Sequence, residues 1–218
     1  MGPVNANTTL GWSTHVFGAT LTPARVLPWF YGPRAERLAE GGAIHYHAMP
    51  CGGLGRTDRI VESFMPLLES ARARDEKLRL VGHSLGGVVA WALAHEYPEA
   101  VDTVEVWGAP LRGTGVARFF ARISAVQEAR FLSPDSGWLK RYDRPLNGPV
   151  ARSIYTALDL MVVPARDSSY VEGDRAENHY LSPLWVRRWD RRPAERVHTG
   201  VADHVMLPRH NRLALLAA

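Results

Sequence analysis

The sequence predicts an α/β fold, with one mostly parallel sheet and helices on both of its faces. Three observations carry this reading. Short apolar runs alternate with helix-length amphipathic patterns along most of the chain, which is the order that builds parallel β-α-β units. The segment LRLVGHSLGGVVAWALA, residues 78–94, passes from a strand pattern through a glycine-flanked turn into an apolar helix within 17 residues. At 218 residues, 46% hydrophobic and 22% charged, the chain has the size and composition of one globular domain.

The elements follow in order. Ser13 to Phe17 is a short apolar strand. Pro28 to Glu40 has helical spacing and stops at Gly41-Gly42, and Ala43 to His47 alternates as a strand does. Thr57 can cap a helix to about Arg74, whose Ile60, Val61, Phe64, Leu67 and Leu68 share one side. Leu78 to Gly82 is a strand, Leu85 to Glu96 a helix ended by Pro98, and Val101 to Trp107 a strand. Ser153 to Leu158 and Glu195 to Gly200 read as further strands, and Asn211 to Ala217 as a closing helix.

Composition narrows the function classes. The only cysteine is Cys51, so there is no internal disulfide and no zinc site built from several cysteines. No apolar run is long enough to span a bilayer, and the amino-terminal residues lack the pattern of a secretory signal, so the default expectation is a cytoplasmic protein. The net charge is +4, from 24 Arg and 2 Lys against 22 acidic residues. The densest basic stretch, Arg187 to Arg196, reads as a solvated face, with peripheral contact to an anionic surface as its functional alternative. No zinc finger, RNA-binding signature or basic heptad accompanies it, so nucleic acid is not an expected partner.

The informative residues fall where the carboxyl ends of strands are expected, the place where such sheets bind ligands. Gly82-His83-Ser84-Leu85-Gly86 is a G-x-S-x-G turn between a strand and a helix. That setting places a serine in a strained backbone conformation, with neighbours so close that a Cβ two residues away on either side would clash. The turn lifts the Ser84 hydroxyl above the sheet and aims the Leu85 N–H at a developing oxyanion. A helix cap, the competing use of Ser84, calls for no glycine on both sides.

A serine hydroxyl needs a base, and the base needs an orienting acid. In elbow proteins the chain order is Ser, Asp or Glu, then His. Asp159 ends the apolar run SIYTAL and His204 lies in the loop after the last strand, so these are the candidate acid and base. The competitors are weaker. His198 lies within a strand, His210 beyond the loop, and His83 inside the elbow as a packing neighbour. Asp203 adjoins His204, and adjacent side chains diverge. Asp135 and Asp143 precede the strand, and Asp167 follows Asp159 by eight residues.

With GHSLGG, WGAPLRGT (107–114), LDLMVVP (158–164) and ADHVMLP (202–208), the chain resembles the bacterial lipase and esterase branch of the α/β-hydrolase superfamily. The resemblance runs from about Phe17 to the carboxyl terminus. It implies a three-layer α/β-hydrolase fold in a minimal version lacking the first strands, and a single domain over 1–218. It implies a hydrolase of carboxylic esters, small-molecule or lipid, that works through Ser84, His204, Asp159 and an acyl-enzyme without cofactor or metal. It also implies a second oxyanion donor after the first strand. There Phe17 stands where such lipases often carry histidine, which assigns the donor to Ala19, with Thr20 as its rival. Acyltransferases and thioesterases share this machinery, and a phage-type cell-envelope lipid esterase is a variant suggested by the small size and arginine content. A non-catalytic binding protein fits least with Ser, Asp and His in the right order.

The connection from Arg112 to about Ala151 is too long for a bare loop. Val116, Phe119, Phe120, Ile123 and Val126 form one helical stripe within it. Residues 112–150 are therefore a candidate cap or lid over an acyl chain; the alternative is a helix packed on the core. A second insertion, Tyr180 to Trp189, carries Leu184, Trp185, Val186 and Trp189 and has no assigned place.

Overall fold

A computed structural model describes residues 13–18, 24–49, 57–123, 127–183, 192, 195–200, 202–204 and 206–209. Among them, seven strands form one sheet in which every pairing is parallel. The strands are β1 (Ser13–Gly18), β2 (Ala43–Ala48), β3 (Leu78–His83), β4 (Val101–Trp107), β5 (Val150–Thr156), β6 (Ala176–Ser182) and β7 (Glu195–Thr199), in the order β2-β1-β3-β4-β5-β6-β7. The chain first moves outward from β1 to β2, then crosses back to β3 and proceeds in the opposite direction. The junction of β1 and β3 is thus the topological switch point, where the carboxyl ends of strands leave a crevice.

Side-chain alternation along the strands builds two cores. On one face Phe17, Leu80, Val104, Val106 and Ala151 pack with α2 (Thr57–Ala73), α3 (Leu85–Glu96) and α6 (Gly137–Tyr142). On the other, Val16, Val81, Trp107, Ile154 and Leu181 pack with Leu27, Tyr31, Ala35 and Leu38 of α1 (Leu27–Ala39) and with Leu207. Helix α3 is buried at every position but Glu96, which explains its unbroken apolar sequence. Arg34 of α1 reaches the sheet as a buried fork onto Glu105 of β4, with Nε donating to Oε1 at 2.7 Å and Nη2 donating to Oε2. The Trp107 Nε1–H donates to the same carboxylate at 2.8 Å, so the acceptor is well satisfied without water.

Most element expectations coincide with the fold to within a residue or two, and two need correction. The strand expected over Ser153 to Leu158 runs instead from Val150 to Thr156, because Val150 already pairs with Thr103 of β4. Strand β6 was hidden in the sequence by Glu177, Asn178 and His179. These polar groups have partners in the fold: Arg152 for the half-buried Glu177, the backbone of Val171 for Asn178, and His198 for Nδ1 of His179. Tyr180 to Ser182 therefore belong to the sheet and not to an insertion. Leu184, Trp185, Val186, Trp189 and the helix expected over Asn211 to Ala217 lie outside the described residues, as do Cys51, Val126 and most of the Arg187 to Arg196 stretch.

The connection between β4 and β5 holds α4 (Gly115–Ile123), α5 (Gln127–Phe131) and α6. Of α4 only Ala117 is buried, whereas Phe119 and Ile123 are 60% and 63% exposed. The apolar stripe of α4 is thus turned to solvent and is not packed on the core.

Candidate active site

The elbow is as tight as its sequence requires. Ser84 follows β3 with φ 55° and ψ −124°, a conformation that L-residues rarely hold. A Cβ on Gly82 would lie 2.4 Å from the Gly86 carbonyl oxygen, and one on Gly86 would lie 2.2 Å from that of Phe17. A Cβ on Gly87 would lie 2.6 Å from the Ala109 Cβ. The turn is pinned by the Ser84 N–H, which donates to the Trp107 carbonyl at 2.9 Å, and by Gly87 and Val88, whose N–H groups donate to the Ser84 carbonyl. Leu85 is the first residue of α3, so its N–H has no partner within the helix. Ser84 itself is half-buried. Ala19 and Thr20, expected as second oxyanion donors, lie outside the described residues. The strand they follow abuts the elbow at Phe17 and Gly18.

Asp159 and His204, 45 residues apart in sequence, are joined: His204 Nδ1–H donates to Asp159 Oδ2 at 2.7 Å. The Asp159 carboxylate is fully buried and the His204 ring largely so. The other oxygen, Oδ1, accepts the N–H groups of Met161 at 2.9 Å and Val162 at 2.7 Å. A carboxylate so held has a fixed direction and remains a strong acceptor for the imidazole. The elbow approaches this pair through two of the neighbours of Ser84. Its amide is bonded to Trp107, whose successor Gly108 would bring a Cβ to 3.1 Å from both Asp159 Oδ2 and His204 Nδ1. Its predecessor His83 lies 4.9 Å, centroid to centroid, from the His204 ring.

The sequence motif WGAPLRGT acquires a physical reason here. Gly108, at φ 49°, supplies the room in which Asp159 and His204 meet. Six residues on, the Thr114 Oγ1–H donates to the Met161 carbonyl, and the same oxygen accepts the Val163 N–H, both at 2.9 Å. Gly115 N–H donates to the Val163 carbonyl at 2.8 Å. The β4 loop is thus a clamp on the loop that carries Asp159. Sequence reasoning recognised the motif but missed Gly108 and Thr114 as parts of the site; the glycine after a strand end was the available signal.

The competing residues that are described have other employment. Asp135 pairs with Arg118, Asp143 with Arg112, and Asp167 with Arg192. Asp203 is exposed and accepts the Met206 N–H at 2.8 Å, fixing the turn after His204. His198 lies in β7 and stacks on His179. His83 is buried, with its ring nitrogens toward Tyr31 and the His204 carbonyl. His210 lies outside the described residues.

The rim of the site is apolar. Leu160, Met161 and Met206 flank Asp159 and His204 and are exposed, Leu160 by 81%. Helix α4, with Phe119, Phe120 and Ile123 exposed, begins at the clamp. Among the described residues no helix is long and apolar enough to cross a membrane.

No family model and no curated protein matches the sequence. Solved structures do match the fold. Aspergillus fumigatus lipase B superposes with a TM-score of 0.63 at 14% identity, over 81% of this chain and 47% of that one. A monoacylglycerol lipase of Paleococcus ferrophilus superposes with a TM-score of 0.58 at 12% identity, over 95% and 93%. The α/β-hydrolase enzyme MGS-MChE2, from a lagoon-sediment metagenome, gives 0.52 at 15% identity, over 93% and 88%. The chain thus spans less than half of the first of these and nearly the whole length of the other two. With its parallel sheet covered by helices on both faces, the protein has the three-layer α/β-hydrolase fold.

Proposed function

We propose that the protein is a serine hydrolase that cleaves carboxylic esters carrying an apolar acyl chain. The observation that carries the proposal is the Asp159–His204 hydrogen bond, set at strand ends beside a serine strained onto an elbow at the switch point. In this reading Ser84 Oγ attacks the ester carbonyl while His204 Nε2 takes its proton, and Asp159 stabilises the imidazolium and holds its tautomer. The Leu85 N–H binds the oxyanion, with the Ala19 N–H as second donor. The carbon–oxygen bond to the alcohol breaks, and His204 gives the proton to the departing alkoxide. A water molecule, deprotonated by the same imidazole, then attacks the acyl-enzyme and releases the acid and Ser84. The chemistry calls for no metal or cofactor.

The apolar rim supports the choice of substrate. Leu160, Met161 and Met206 at the mouth, with α4 beside them, offer an acyl chain a surface from which water is readily displaced. Segment 112–150, which contains α4, is the cap in this reading, with its apolar side toward the substrate. The lipase names of two structural neighbours are in keeping with it.

Hydrolysis of p-nitrophenyl esters from acetate to palmitate tests the proposal. Turnover that lengthens with the acyl chain and disappears in Ser84→Ala is expected. Turnover unaffected by Ser84→Ala would remove the elbow serine from the mechanism. Transfer of the acyl group to an added alcohol in preference to water would make the protein an acyltransferase.

A further inference from the structure

His83 has no part in the chemistry above, yet it is buried between two groups that determine its proton. One ring nitrogen, Nε2, lies 2.9 Å from the backbone carbonyl oxygen of His204, and the other, Nδ1, lies 2.9 Å from the hydroxyl of Tyr31 on α1. A carbonyl oxygen only accepts, so Nε2 must carry the hydrogen. In the neutral ring Nδ1 is then an acceptor, and the Tyr31 hydroxyl must donate to it. With the ring neutral, only this assignment of hydrogens satisfies all three groups.

We propose that Tyr31 and His83 are positioning residues for the candidate base: the His204 carbonyl selects the Nε2–H tautomer of His83, the Tyr31 hydroxyl satisfies Nδ1 and so fixes the ring, and the Nε2–H holds the backbone of His204 in register with Asp159 and Ser84. The inference rests on the hydrolase reading of the same site. It joins α1 to the loop after β7 across the carboxyl end of β3, where Leu207 of that loop also packs on α1. The loop is also supported by the Thr156 Oγ1–H, which donates to the Ala202 carbonyl at 2.7 Å, and by the Gly200 N–H, which donates to the Ser182 carbonyl at 2.9 Å.

The charge state of His83 fits this role. Among the described residues, the titratable groups facing its ring are Tyr31 from α1 and His204 from the loop. Burial, with His204 beside it, holds the His83 pKa down to about 3. A neutral His83 lets His204 become an imidazolium 4.9 Å away without a like charge opposing it. Without the Tyr31 hydroxyl, a buried Nδ1 lone pair is left unpaired. The ring keeps the Nε2–H tautomer, because the Nδ1–H form would set an Nε2 lone pair against the His204 carbonyl oxygen, but it loses the contact that fixes its orientation.

Two readouts test this. Ring nitrogen-15 shifts, recorded on labelled Ser84→Ala protein so that turnover plays no part, are expected to show His83 neutral and Nε2-protonated from about pH 5 to 8. Adding Tyr31→Phe is expected to leave the Nε2–H form in place and to shift the Nδ1 signal, which loses its hydrogen-bond donor. A charged or Nδ1-protonated His83 in the protein with Tyr31 intact, or an Nδ1 signal indifferent to Tyr31→Phe, would overturn the proposal. In catalytically intact protein, Tyr31→Phe and His83→Met are expected to lower kcat by about 10- to 100-fold with KM little changed, as displacement of a base does. His83→Gln, whose amide can still donate toward the carbonyl, is expected to recover activity relative to His83→Met. Equal losses in Gln and Met variants, tracking their Tm, would mean packing alone and would also overturn it. If the protein with all native residues hydrolyses no ester, the hydrolase reading fails on that ground, and the shifts still decide the tautomer of His83 and its bond to Tyr31.

Discussion

Asp159 Oδ2 accepts a hydrogen bond of 2.7 Å from His204 Nδ1, and the two residues meet over the bare Cα of Gly108. Three separate strand ends therefore specify one contact. Replacing Asp159 by Asn keeps the volume but reverses the hydrogen-bond preference on that side, so Nε2 of His204 carries the hydrogen and cannot act as a base. Asp159→Asn is expected to lower kcat by about 10³- to 10⁴-fold with the fold intact. Steady-state ester hydrolysis beside a circular dichroism spectrum checks it, and a loss under tenfold would assign the acid elsewhere.

Gly108→Ala tests the space under that contact. The new Cβ would stand 3.1 Å from Asp159 Oδ2 and His204 Nδ1, at a φ of 49° that alanine tolerates poorly. A stability loss of about 1–3 kcal/mol is expected from the backbone alone. Activity should fall well beyond what the unfolded fraction explains. Urea denaturation together with kinetics separates the two effects, and full activity in a destabilised protein would argue against the contact.

Thr114→Val removes the hydroxyl that both donates to Met161 and accepts from Val163 while leaving the shape of the side chain. Orphaning these backbone groups is expected to cost about 1–3 kcal/mol. Because Oδ1 of Asp159 depends on the Met161 and Val162 amides, kcat should fall too. Thr114→Ser should restore most of both, and its failure to do so would show that the methyl group, not the hydroxyl, matters.

Acid should destabilise the fold through buried neutral histidines. His15 and His83 have pKa values held down to about 3, and His179 to about 4, in each case chiefly by burial. All three lie below the ordinary value of 6.5, so the unfolded chain binds more protons than the native one between these limits. Stability from this source is complete above about pH 6.5 and falls as pH drops through the window toward the folded values. The loss between pH 6.5 and 5 is about 2 kcal/mol for each group. Urea unfolding midpoints at several pH values measure it, and a flat profile over this range would contradict neutral burial.

Much of this architecture was readable from residues alone, for identifiable reasons. The order of elements from β1 to β4 followed from apolar periodicity, and the elbow from its paired glycines. Asp159 and His204 followed from chain order and strand ends. Strand β6 escaped notice because its buried side chains include Asn178 and His179, whose bonds to the backbone of Val171 and to His198 on β7 only the folded chain brings together. The stripe of α4 was legible as apolar, but the pattern could not say whether it faced core or solvent. Gly108 and Thr114 were visible as a motif, and only the three-dimensional meeting of two loops gives them a purpose. The bonds of His83 were hidden for the same reason, since they depend on α1 and on the loop after β7.

The most direct measurement is labelling with a fluorophosphonate probe, with the modified peptide mapped by mass spectrometry. One adduct on Ser84 is expected, absent in Ser84→Ala and much slower to form in His204→Ala. Absence of an adduct on folded protein, or an adduct at another serine, would contradict Ser84 as an activated nucleophile and return the protein to the non-catalytic reading.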